Sequence, residues 1–472
     1  MDIFDDLHQY ENKIAIIDEN ENKYTYRELD NMIKRFKAAL PNKKKSLVLI
    51  RCNNTIESLI GYLGGISGEN TVLLVDDSID HNLFENLIDS YQPDYIWGPI
   101  YGKRKGFFTY RTYELLKRDV HTNSLLLPEL SLVMLTSGST GSPKGVRLTR
   151  YNINSNAKSI AQYLALDDSE RPITSLPMNY VYGLSVINSH LYVGATILLT
   201  SKSMVQKDFW DFFKKYNATS FSGVPYTYEM LKNLRFFNME LPSLRYFTQA
   251  GGKLRPDLAE EYSEYSKNKK LHFYIMYGQT EATARMAYLP PKFNLTKSNS
   301  IGIVIPGGKL YLKDNRGKNI TIPKREGILY YEGPNVMLGY AFNREDLVKS
   351  DEQKGCLNTH DIAYFDEEGF FYIVGRDSRF IKIAGNRIDL DKVEQYLWQH
   401  GFECASGGYD NLLLIATTSS AYFKKIREML MKTFKIDYDS LNIFQVEEIS
   451  KNRSGKIEYK KIFSNYKQGE TI

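Results

Sequence analysis

A glycine-rich segment that directly follows an apolar run decides the fold. Residues 132–145 read LVMLTSGSTGSPKG. The run Leu132–Leu135 predicts a buried strand, and the residues after it supply three glycines, several hydroxyl groups and Lys144. Such a loop can hold a polyphosphate without burying an unpaired charge. Because Pro143 precedes the lysine, it is not a Walker A loop, which has glycine there. A phosphate-binding loop is predicted, and a flexible surface loop is the alternative.

Apolar runs of strand length alternate with helical patterns on both sides of this segment. Before it, Ser46–Cys52 and Thr71–Asp77 are strand-like, and Ile56–Leu63 and His81–Tyr91 have helical spacing. After it, four more apolar runs each precede a helical pattern: Arg171–Pro177, Ala195–Thr200, Ala218–Val224 and Leu244–Ala250. Strand–helix alternation favours parallel, doubly wound sheets, so an α/β fold is predicted.

The pattern changes at about residue 300. From there to about residue 375, short alternating strands such as Lys309–Lys313 and Gly327–Tyr331 are separated by Gly, Pro and Asn turns. This spacing predicts an antiparallel, β-barrel-like subdomain. From residue 378 onward a small α+β pattern follows, with strands and helices at Phe380–Ala384, Asp389–His400, Asn411–Thr418, Tyr422–Phe434 and Leu441–Val446.

Two domains are therefore expected. The large N-terminal domain, residues 1–377, contains the doubly wound sheets and, at about 300–375, the barrel-like subdomain. A small mobile C-terminal domain, residues 378–472, follows without a long linker, so it should pivot rather than float.

Composition excludes several classes of protein. Of the 472 residues, 42% are hydrophobic and 25% are charged, which argues against disorder, collagen-like repeats and a membrane protein. A net charge of +5 is too weak over this length to imply nucleic acid or a membrane as a partner. Three cysteines without CxxC spacing indicate a reducing compartment. The sequence contains no HExxH motif, so no protein-bound transition metal is expected. With neither an apolar leader nor about 18 consecutive apolar residues, a cytoplasmic protein without a membrane span is expected.

Short motifs along the chain resemble those of the adenylate-forming superfamily, which includes acyl- and aryl-CoA synthetases, nonribosomal adenylation domains and firefly luciferase. Residues 136–145 match its phosphate loop TSGSTGxPKG, and residues 277–281 match its YGxTE motif. More matches follow in the family's order: Gly333-Pro334 with Gly339-Tyr340, Thr359-His360-Asp361, Gly375-Arg376, Lys382 with Gly385, Arg387 and Glu394, and Ser454-Gly455-Lys456-Ile457. Each motif is weak alone, but the ordered set covers nearly the whole chain.

The resemblance implies an ATP-dependent, AMP-forming carboxylate ligase. In that reaction a carboxylate attacks the α-phosphate of ATP, which gives an acyl-adenylate and pyrophosphate, and a thiol then attacks the activated carbonyl. Because two anions must meet, the site needs cations and dipoles where charge develops. The implied cofactors are ATP and Mg²⁺, with coenzyme A or a carrier protein's phosphopantetheine as the acceptor.

The resemblance also implies roles for individual residues. Thr280 would donate to the α-phosphate, Glu281 would hold Mg²⁺, and Lys456 would bridge the substrate carboxylate and the ribose-phosphate oxygens. The nucleotide would be held by Thr136, Ser137, Gly138, Ser139, Thr140, Gly141, Lys144, Gly251, Tyr277, Gly278, Asp361 and Arg376. Without the family context, Glu281 could serve a helix dipole, Asp361 could pair with an arginine, and Lys456 could be an ordinary solvated lysine.

Some positions depart from the family pattern. The hinge between the two half-reactions falls on Ser378, where family members often have Asp or Lys. The family's GWxxTGD has Cys356 in place of Trp and His360 in place of the second Gly. A bulky His360 beside the ribose site would alter nucleotide affinity. Since no essential charge is missing, activity is still expected.

One position narrows the choice of acid. Amino-acid-activating members place Asp in an FDxS motif to pair with the substrate ammonium, and Gly183 stands at that position here. A buried ammonium without a counter-charge is costly, which favours a fatty or aromatic acid. The predicted pocket residues are Tyr180, Gly183 and Tyr226, with Asn179 and Pro225 beside them. Core packing explains the two tyrosines equally well.

Two other functions remain open. The first is a stand-alone ligase that loads an amino acid, such as D-alanine, onto a carrier protein. The second, of another class, is a non-catalytic nucleotide-binding protein on the same scaffold. The expected partners are a small-molecule carboxylic acid and, if the thiol belongs to phosphopantetheine, a separate acyl carrier protein.

Overall fold

A computed structural model describes residues 1–40, 44–102, 106–119, 125–136, 144–376, 379–383, 386–451, 457–464 and 466. The chain forms two compact units. The first comprises Met1–Ser298, Gly302–Lys309 and Tyr331–Leu357, and the second comprises Asn299–Ile301, Leu310–Tyr330 and Asn358–Ile472. The predicted boundary at Ser378 lies outside the described residues and stays a prediction.

The strands are numbered in chain order. They are β1 (Ile14–Asp18), β2 (Lys23–Thr25), β3 (Leu47–Cys52), β4 (Thr71–Asp76), β5 (Tyr95–Pro99), β6 (Phe108–Tyr110), β7 (Tyr113–Lys117), β8 (Leu130–Thr136), β9 (Lys144–Thr149), β10 (Ile197–Leu199), β11 (Ser220–Gly223), β12 (Tyr246–Gln249), β13 (His272–Tyr277), β14 (Ala287–Leu289), β15 (Ile303–Val304), β16 (Lys309–Lys313), β17 (Asn319–Ile320), β18 (Gly327–Glu332), β19 (Gly339–Ala341), β20 (Cys356–Phe365), β21 (Phe371–Arg376), β22 (Phe380–Ile383), β23 (Asn386–Asp389), β24 (Cys404–Tyr409), β25 (Leu412–Thr417) and β26 (Leu441–Gln445).

The helices are numbered in the same way. The α-helices are α1 (Tyr26–Ala39), α2 (Ile56–Ser67), α3 (His81–Tyr91), α4 (Arg150–Tyr163), α5 (Val181–Tyr192), α6 (Lys207–Lys215), α7 (Pro225–Asn233), α8 (Pro256–Lys269), α9 (Leu390–Gln399), α10 (Phe423–Phe434) and α11 (Tyr459–Phe463). Short 3₁₀ turns cover Leu7–Tyr10, Phe236–Asn238, Thr280–Ala282, Pro291–Phe293, Arg344–Val348, Ser420–Tyr422 and Tyr438–Ser440. None of the helices in the described ranges has the length and apolar character that crossing a bilayer requires.

The largest sheet of the first unit has the strand order β19-β9-β8-β4-β3-β5-β7-β6. Its centre is parallel, since β3 pairs with both β4 and β5, and β4 pairs with β8. Strand β8 then pairs antiparallel with β9, and the glycine-rich residues between them lie outside the described ranges. The sheet therefore brings the two ends of the predicted phosphate loop together.

Helix α2 packs against this sheet and is buried along its whole length. An apolar helix with no polar face needs neighbours on every side, and α1 covers the side away from the strands. Gly61 and Gly64 allow the close approach. A Cβ atom at Gly61 would come within 2.4 Å of the ring of Trp97, and one at Gly64 within 2.9 Å of the ring of Phe36. Larger residues at either position would force these rings apart.

A second sheet of the first unit has the order β11-β12-β13-β14-β15. Strands β11, β12 and β13 are parallel, and β14 and β15 continue antiparallel. Ligands of open α/β sheets bind outside the carboxyl ends of the parallel strands. At those ends lie the Gly251 turn after β12 and the Tyr277-Gly278 turn after β13.

The second unit contains smaller sheets. Most of the residues in the sheet β17-β16-β18-β20-β21 belong to it, and this sheet occupies the region predicted as barrel-like. The sheet β24-β25-β26 shares an apolar core with α9 and α10, built from residues such as Val393, Leu397, Ile415 and Leu430.

The α/β class predicted from strand–helix alternation is confirmed, and the helix His81–Tyr91 and the strand Lys309–Lys313 have the predicted bounds. The strand predicted at Arg171–Pro177 is wrong. Only isolated bridges form there, from Pro172 to Ser220 and from Ile173 to Leu198. Pro172 and Pro177 have no N–H to donate, so a continuous ladder cannot develop.

Candidate active site

The two strands that flank the predicted phosphate loop meet at its base. Thr136 pairs with Lys144 across β8 and β9, and the Thr136 hydroxyl donates to the Lys144 carbonyl oxygen at 3.3 Å. The chain therefore leaves the sheet and returns to it at one point. The predicted phosphate ligands Ser137, Gly138, Ser139, Thr140 and Gly141 lie outside the described residues.

Tyr340 links the predicted phosphate lysine to the predicted metal ligand. The Nζ atom of Lys144 lies 3.7 Å from the centroid of the Tyr340 ring, which is a close cation–π contact. The hydroxyl of the same tyrosine donates to Oε1 of Glu281 at 2.9 Å. Burial, and then the neighbouring Glu281 carboxylate, raise the pKa of Tyr340. Tyr340 thus stays a neutral donor between a cation and an anion.

Strand pairing fixes the position of Tyr340. It lies on β19, which pairs antiparallel with β9 so that Tyr340 faces Val146. Tyr91, the last residue of α3, joins the two strands because its hydroxyl accepts from the Gly145 amide at 3.0 Å and donates to the Ala341 carbonyl at 2.8 Å. Sequence reasoning missed Tyr91, since no local motif marks it.

Glu281 lies in a tight turn that begins at Gly278. A Cβ atom at Gly278 would come within 1.6 Å of the Ala284 carbonyl oxygen, so only glycine fits there. Thr280 and Glu281 follow in a 3₁₀ turn, and the Glu281 carbonyl accepts from the Met337 amide at 2.9 Å. The turn presents the glutamate side chain beside Tyr340 and leaves its backbone bonded to the fold.

Neither Lys144 nor Glu281 forms an ion pair with any residue that the structure describes. The same residues include no group of three His, Cys, Asp or Glu side chains that could enclose a metal. A single carboxylate fits Mg²⁺, which keeps several waters and takes further oxygens from substrate phosphates. The uncommitted cation and anion therefore suit a Mg²⁺–polyphosphate ligand better than a closed metal site.

The predicted adenine side of the site is also glycine-dependent. Gly251 has φ +86°, and a Cβ atom there would come within 2.5 Å of the Tyr180 hydroxyl. Tyr277, at the end of β13, is half-buried, and its hydroxyl accepts from the Gln279 amide at 3.4 Å. Gly251 thus allows the Tyr180 ring to lie against the turn.

Asp361 and Arg376, the predicted ribose contacts, lie opposite each other on β20 and β21 of the second unit. The Nε atom of Arg376 donates to the buried Asp361 carboxylate at 3.0 Å. His360, which replaces the family's glycine, has φ +57° and is exposed. This chain therefore keeps the left-handed backbone that glycine favours but places a side chain on it.

The predicted acid-pocket residues differ in their surroundings. Tyr180 is half-buried, whereas the Tyr226 side chain is 51% exposed and is not packed in the core. Gly183 lies in α5, where a Cβ atom would come within 2.3 Å of the Pro177 carbonyl oxygen. An aspartate at this position would clash with backbone, so packing alone accounts for the glycine.

Arg285 was not predicted and is the most unusual side chain of this region. It is 2% exposed, and its guanidinium donates to Ser185 and Tyr163. A signal in the sequence was available, because an arginine interrupts the apolar run around Met286 four residues after Glu281.

In the second unit, Arg379 joins several elements. It donates to Asp391, to Glu394 at 3.0 Å and to the Tyr459 hydroxyl at 2.6 Å. Glu394, the last residue of the family motif that begins at Lys382, is thereby held inside the unit. Lys456, Ser378 and Gly385 lie outside the described residues.

Comparison with known proteins identifies the family. Residues 3–341 match the family model described as AMP-binding enzyme. The chain belongs to this family. It is 32% identical over 275 residues to the oxalate–CoA ligase of Arabidopsis thaliana, covering 57% of this chain and 52% of that protein. It is 30% identical over 336 residues to the 2-succinylbenzoate–CoA ligase of Bacillus cereus, covering 70% and 66%. The matches thus span about half to two thirds of these relatives' own lengths.

A solved structure of this AMP-binding family supports the fold over the whole chain. The o-succinylbenzoate CoA synthetase (MenE) of Bacillus subtilis, in complex with its acyl-adenylate intermediate, aligns with a TM-score of 0.80 over 99% of each chain at 22% identity. The family expected from the ordered motifs and the α/β architecture are both confirmed.

Proposed function

We propose that this chain is an ATP-dependent, AMP-forming ligase that adenylates an organic acid and transfers the acyl group to a thiol. The observation that carries the proposal is the arrangement of Lys144 and Glu281 on either side of Tyr340. An acid carboxylate and the α-phosphate repel each other, so their reaction requires positive charge placed in advance. A lysine and a carboxylate-bound Mg²⁺ supply that charge.

Each predicted residue has a part in the first half-reaction. Lys144 would neutralise the outer phosphates, while Glu281 would hold Mg²⁺ and Tyr340 would orient the Glu281 carboxylate. Thr280, one residue before Glu281 in the 3₁₀ turn, would donate to the α-phosphate. Asp361 and Arg376 would bind the ribose, in keeping with their positions in the family motifs.

The second half-reaction depends on parts of the chain that stay predictions. Lys456 is proposed to act only in adenylation, and Ser378 is proposed as the hinge that exchanges it for the thiol. The relatives named above are CoA ligases, which supports coenzyme A over a carrier protein as the acceptor. ATP and coenzyme A are cytoplasmic metabolites, and a cytoplasmic location stays a prediction.

The amino-acid alternative is less well supported. An α-ammonium would need a carboxylate in the pocket, but the buried charge beside Tyr182 is the Arg285 guanidinium, 4.7 Å from the ring centroid. Like charges close to each other in a low-dielectric interior repel strongly. An acid without an amino group is therefore favoured by the charge of Arg285, independently of the residue at position 183.

The test combines a panel of acids with separated half-reactions. The enzyme is incubated with ATP, Mg²⁺, coenzyme A and each acid, and acyl-CoA and AMP are measured by mass spectrometry. Lys456→Ala should abolish adenylation but leave thioester formation from supplied acyl-adenylate within about threefold, since its charge is needed only where two anions meet. Lys461→Ala, whose side chain is 67% exposed, is the matched control.

Two results would contradict the proposal. Equal loss of both half-reactions in Lys456→Ala would remove the assigned role of that lysine. If no acid gives a product and ATP with Mg²⁺ does not raise the melting temperature, a catalytic and even a nucleotide-binding function would be excluded.

A further inference from the structure

Arg285 is a buried guanidinium that, among the described residues, touches only neutral groups. Its Nε and Nη2 atoms donate to the Ser185 hydroxyl at 3.2 and 3.1 Å. Its Nη1 atom donates to the Tyr163 hydroxyl at 3.0 Å and to the Met276 sulfur at 2.6 Å. The guanidinium carbon lies 4.7 Å from the centroid of the Tyr182 ring. These contacts use most of its hydrogens but leave its charge unneutralised.

Other arginines of the first unit that are equally buried have a carboxylate partner. Arg147 is fully buried and pairs with Glu352, and Arg344 is 3% exposed and pairs with Asp94 at 2.9 Å. Within the described ranges, Arg285 has no such carboxylate partner. A buried charge without a counter-charge is costly to keep, so the fold gains nothing in stability from this arginine.

Neither Tyr182 nor His190, which are titratable neighbours among the described residues, supplies the missing negative charge. Burial raises the pKa of Tyr182 to about 12, and the positive charge of Arg285 counteracts this only in part. Burial lowers the pKa of His190 to about 4. Its Nδ1 contacts the Val186 carbonyl at 2.7 Å, which can only accept, so Nδ1 carries the proton and the ring is neutral. The described residues around Arg285 are therefore polar but supply no anion.

A series of ring contacts leads from the predicted acid-pocket residue Tyr180 to Arg285. The Tyr180 hydroxyl lies against Gly251, the Tyr180 and Tyr182 rings are 6.2 Å apart in edge-to-face contact, and the Tyr182 ring faces Arg285. Burial increases along this series, from the half-buried Tyr180 to Tyr182 at 3% exposure and Arg285 at 2%. A ligand that enters past Tyr180 therefore meets a positive charge at the deepest point.

The backbone is strained where it directs Arg285 inward. Thr283 has φ +53° and Ala284 has φ +100°, so two consecutive residues with side chains adopt left-handed conformations. The side chain of Asn335 holds the turn by donating to the carbonyls of Ala282 at 2.7 Å and Arg285 at 3.0 Å. Strain of this kind persists at sites where a side chain must be placed for function.

We propose that Arg285 binds a second carboxylate of the acid substrate, distal to the carboxyl group that is adenylated. The substrate class is then the dicarboxylic acids. The cavity beside Ser185 and Asn156 measures about 10 Å³, which is room for one water, so the side chains around it must move to admit an acid. This inference rests on the proposed function and assigns its substrate class.

The experiment compares matched acids that differ by one carboxyl group. Suitable pairs are phthalic and benzoic acid, glutaric and pentanoic acid, and 2-succinylbenzoic acid and its analogue without the ring carboxyl. AMP release is measured with the wild type, Arg285→Gln and Arg285→Lys. Arg316→Gln, at an exposed turn, is the control. Circular dichroism and the melting temperature report whether each variant folds.

The wild type should use at least one dicarboxylic acid about 100-fold more efficiently than its partner, roughly the effect of one buried charge pair. Arg285→Gln should raise KM for that dicarboxylic acid about 100-fold and change monocarboxylic activity by less than about threefold, while Arg285→Lys should recover part of the loss. Fluorescence of bound nucleotide should show unchanged ATP affinity.

Several results would overturn the inference. If the wild-type enzyme shows no preference for the dicarboxylic acid in any pair, the inference is overturned, whether or not the variants fold. If monocarboxylic acids still react in that case, the proposed function is unaffected. Equal loss of both acids in a folded Arg285→Gln would make the arginine structural. Absence of reaction with every acid would instead contradict the proposed function itself.

Discussion

Arg379 in the second unit and Arg285 in the first each have an aromatic ring beneath the guanidinium, Arg379 being half-buried and Arg285 buried. Arg379 lies 3.7 Å above the Tyr459 ring and pairs with Asp391 and Glu394. Arg285 lies 4.7 Å above the Tyr182 ring and has no carboxylate partner in the described part of the chain. An arginine that is paired with carboxylates stabilises the fold, whereas an arginine without a counter-charge is available to bind an anionic ligand.

The position of Arg379 clarifies this structural role. It is the first described residue after the predicted hinge, and it also donates to the Ser406 carbonyl at 2.9 Å. Its bonds connect the start of β22 with α9, β24 and α11. If the small domain turns about Ser378, as the family resemblance implies, the residues from Arg379 onward are braced to turn together.

The largest expected effect is on stability. Arg379→Gln should lower the free energy of unfolding by about 3–5 kcal/mol, because it takes the cation from the buried Glu394 and the half-buried Asp391. Arg285→Gln should change it by less than about 1 kcal/mol, because the groups that lose a hydrogen bond, such as Ser185 and Tyr163, are neutral and no described carboxylate loses its cation. Urea unfolding of both variants measures the difference. Equal destabilisation would break the comparison.

The destabilisation caused by Arg379→Gln should depend on pH. Burial raises the pKa of Glu394, and Arg379 opposes that rise. A carboxyl whose folded pKa is raised contributes stability at low pH and loses it as pH rises. Removing Arg379 raises the pKa further, so the destabilisation of Arg379→Gln should shrink between about pH 7 and pH 5. A gap that is constant or widens on acidification would contradict this.

Lys144 resembles Arg285 in having no carboxylate partner among the residues that the structure describes, so its surroundings should affect activity more than stability. Tyr340→Phe keeps the ring beneath Lys144 but removes the hydrogen bond to Glu281. We expect the kcat/KM for ATP to fall about tenfold, which equals about 1.4 kcal/mol. The Mg²⁺ concentration for half-maximal rate should rise in parallel. A change in rate without a change in Mg²⁺ dependence would argue against the proposed metal role of Glu281.

Backbone strain gives the smallest effect. His360 has φ +57° in the second unit, as Ala284 has φ +100° before Arg285. His360→Gly should raise the free energy of unfolding by at most about 0.5 kcal/mol, because relief of the left-handed conformation is partly offset by the greater freedom of unfolded glycine. His360→Ala, which keeps the strain, is the control. Thermal melts that show glycine to be no better than alanine would contradict the strain argument.

Local sequence patterns were sufficient for much of the fold. Apolar spacing predicted elements such as His81–Tyr91, and the ordered motifs pointed to Lys144 and Glu281. The run at Arg171–Pro177 failed because two prolines outweigh its apolar composition. Apolar periodicity indicates which residues are buried, but it does not show where a proline lacks the N–H that a strand needs.

The contacts that join distant segments could not be read in this way. Tyr91 bonds to Ala341, which is 250 residues away, and Arg285 to Ser185, which is 100 residues away. Such pairs arise only when the fold brings β19 beside β9, or the turn before β14 beside α5. Gly183 shows the opposite problem, since its apparent meaning for the substrate has a steric explanation at the Pro177 carbonyl.

In the proposed reaction an acid carboxylate attacks the α-phosphorus of ATP and pyrophosphate leaves, with the help of Lys144 and Glu281. Exchange of labelled pyrophosphate into ATP, without coenzyme A, tests it most directly. Exchange that requires an acid, responds most strongly to a dicarboxylic acid and is lost in Glu281→Gln is the predicted result. If the folded protein binds ATP but no acid supports exchange, the account is contradicted.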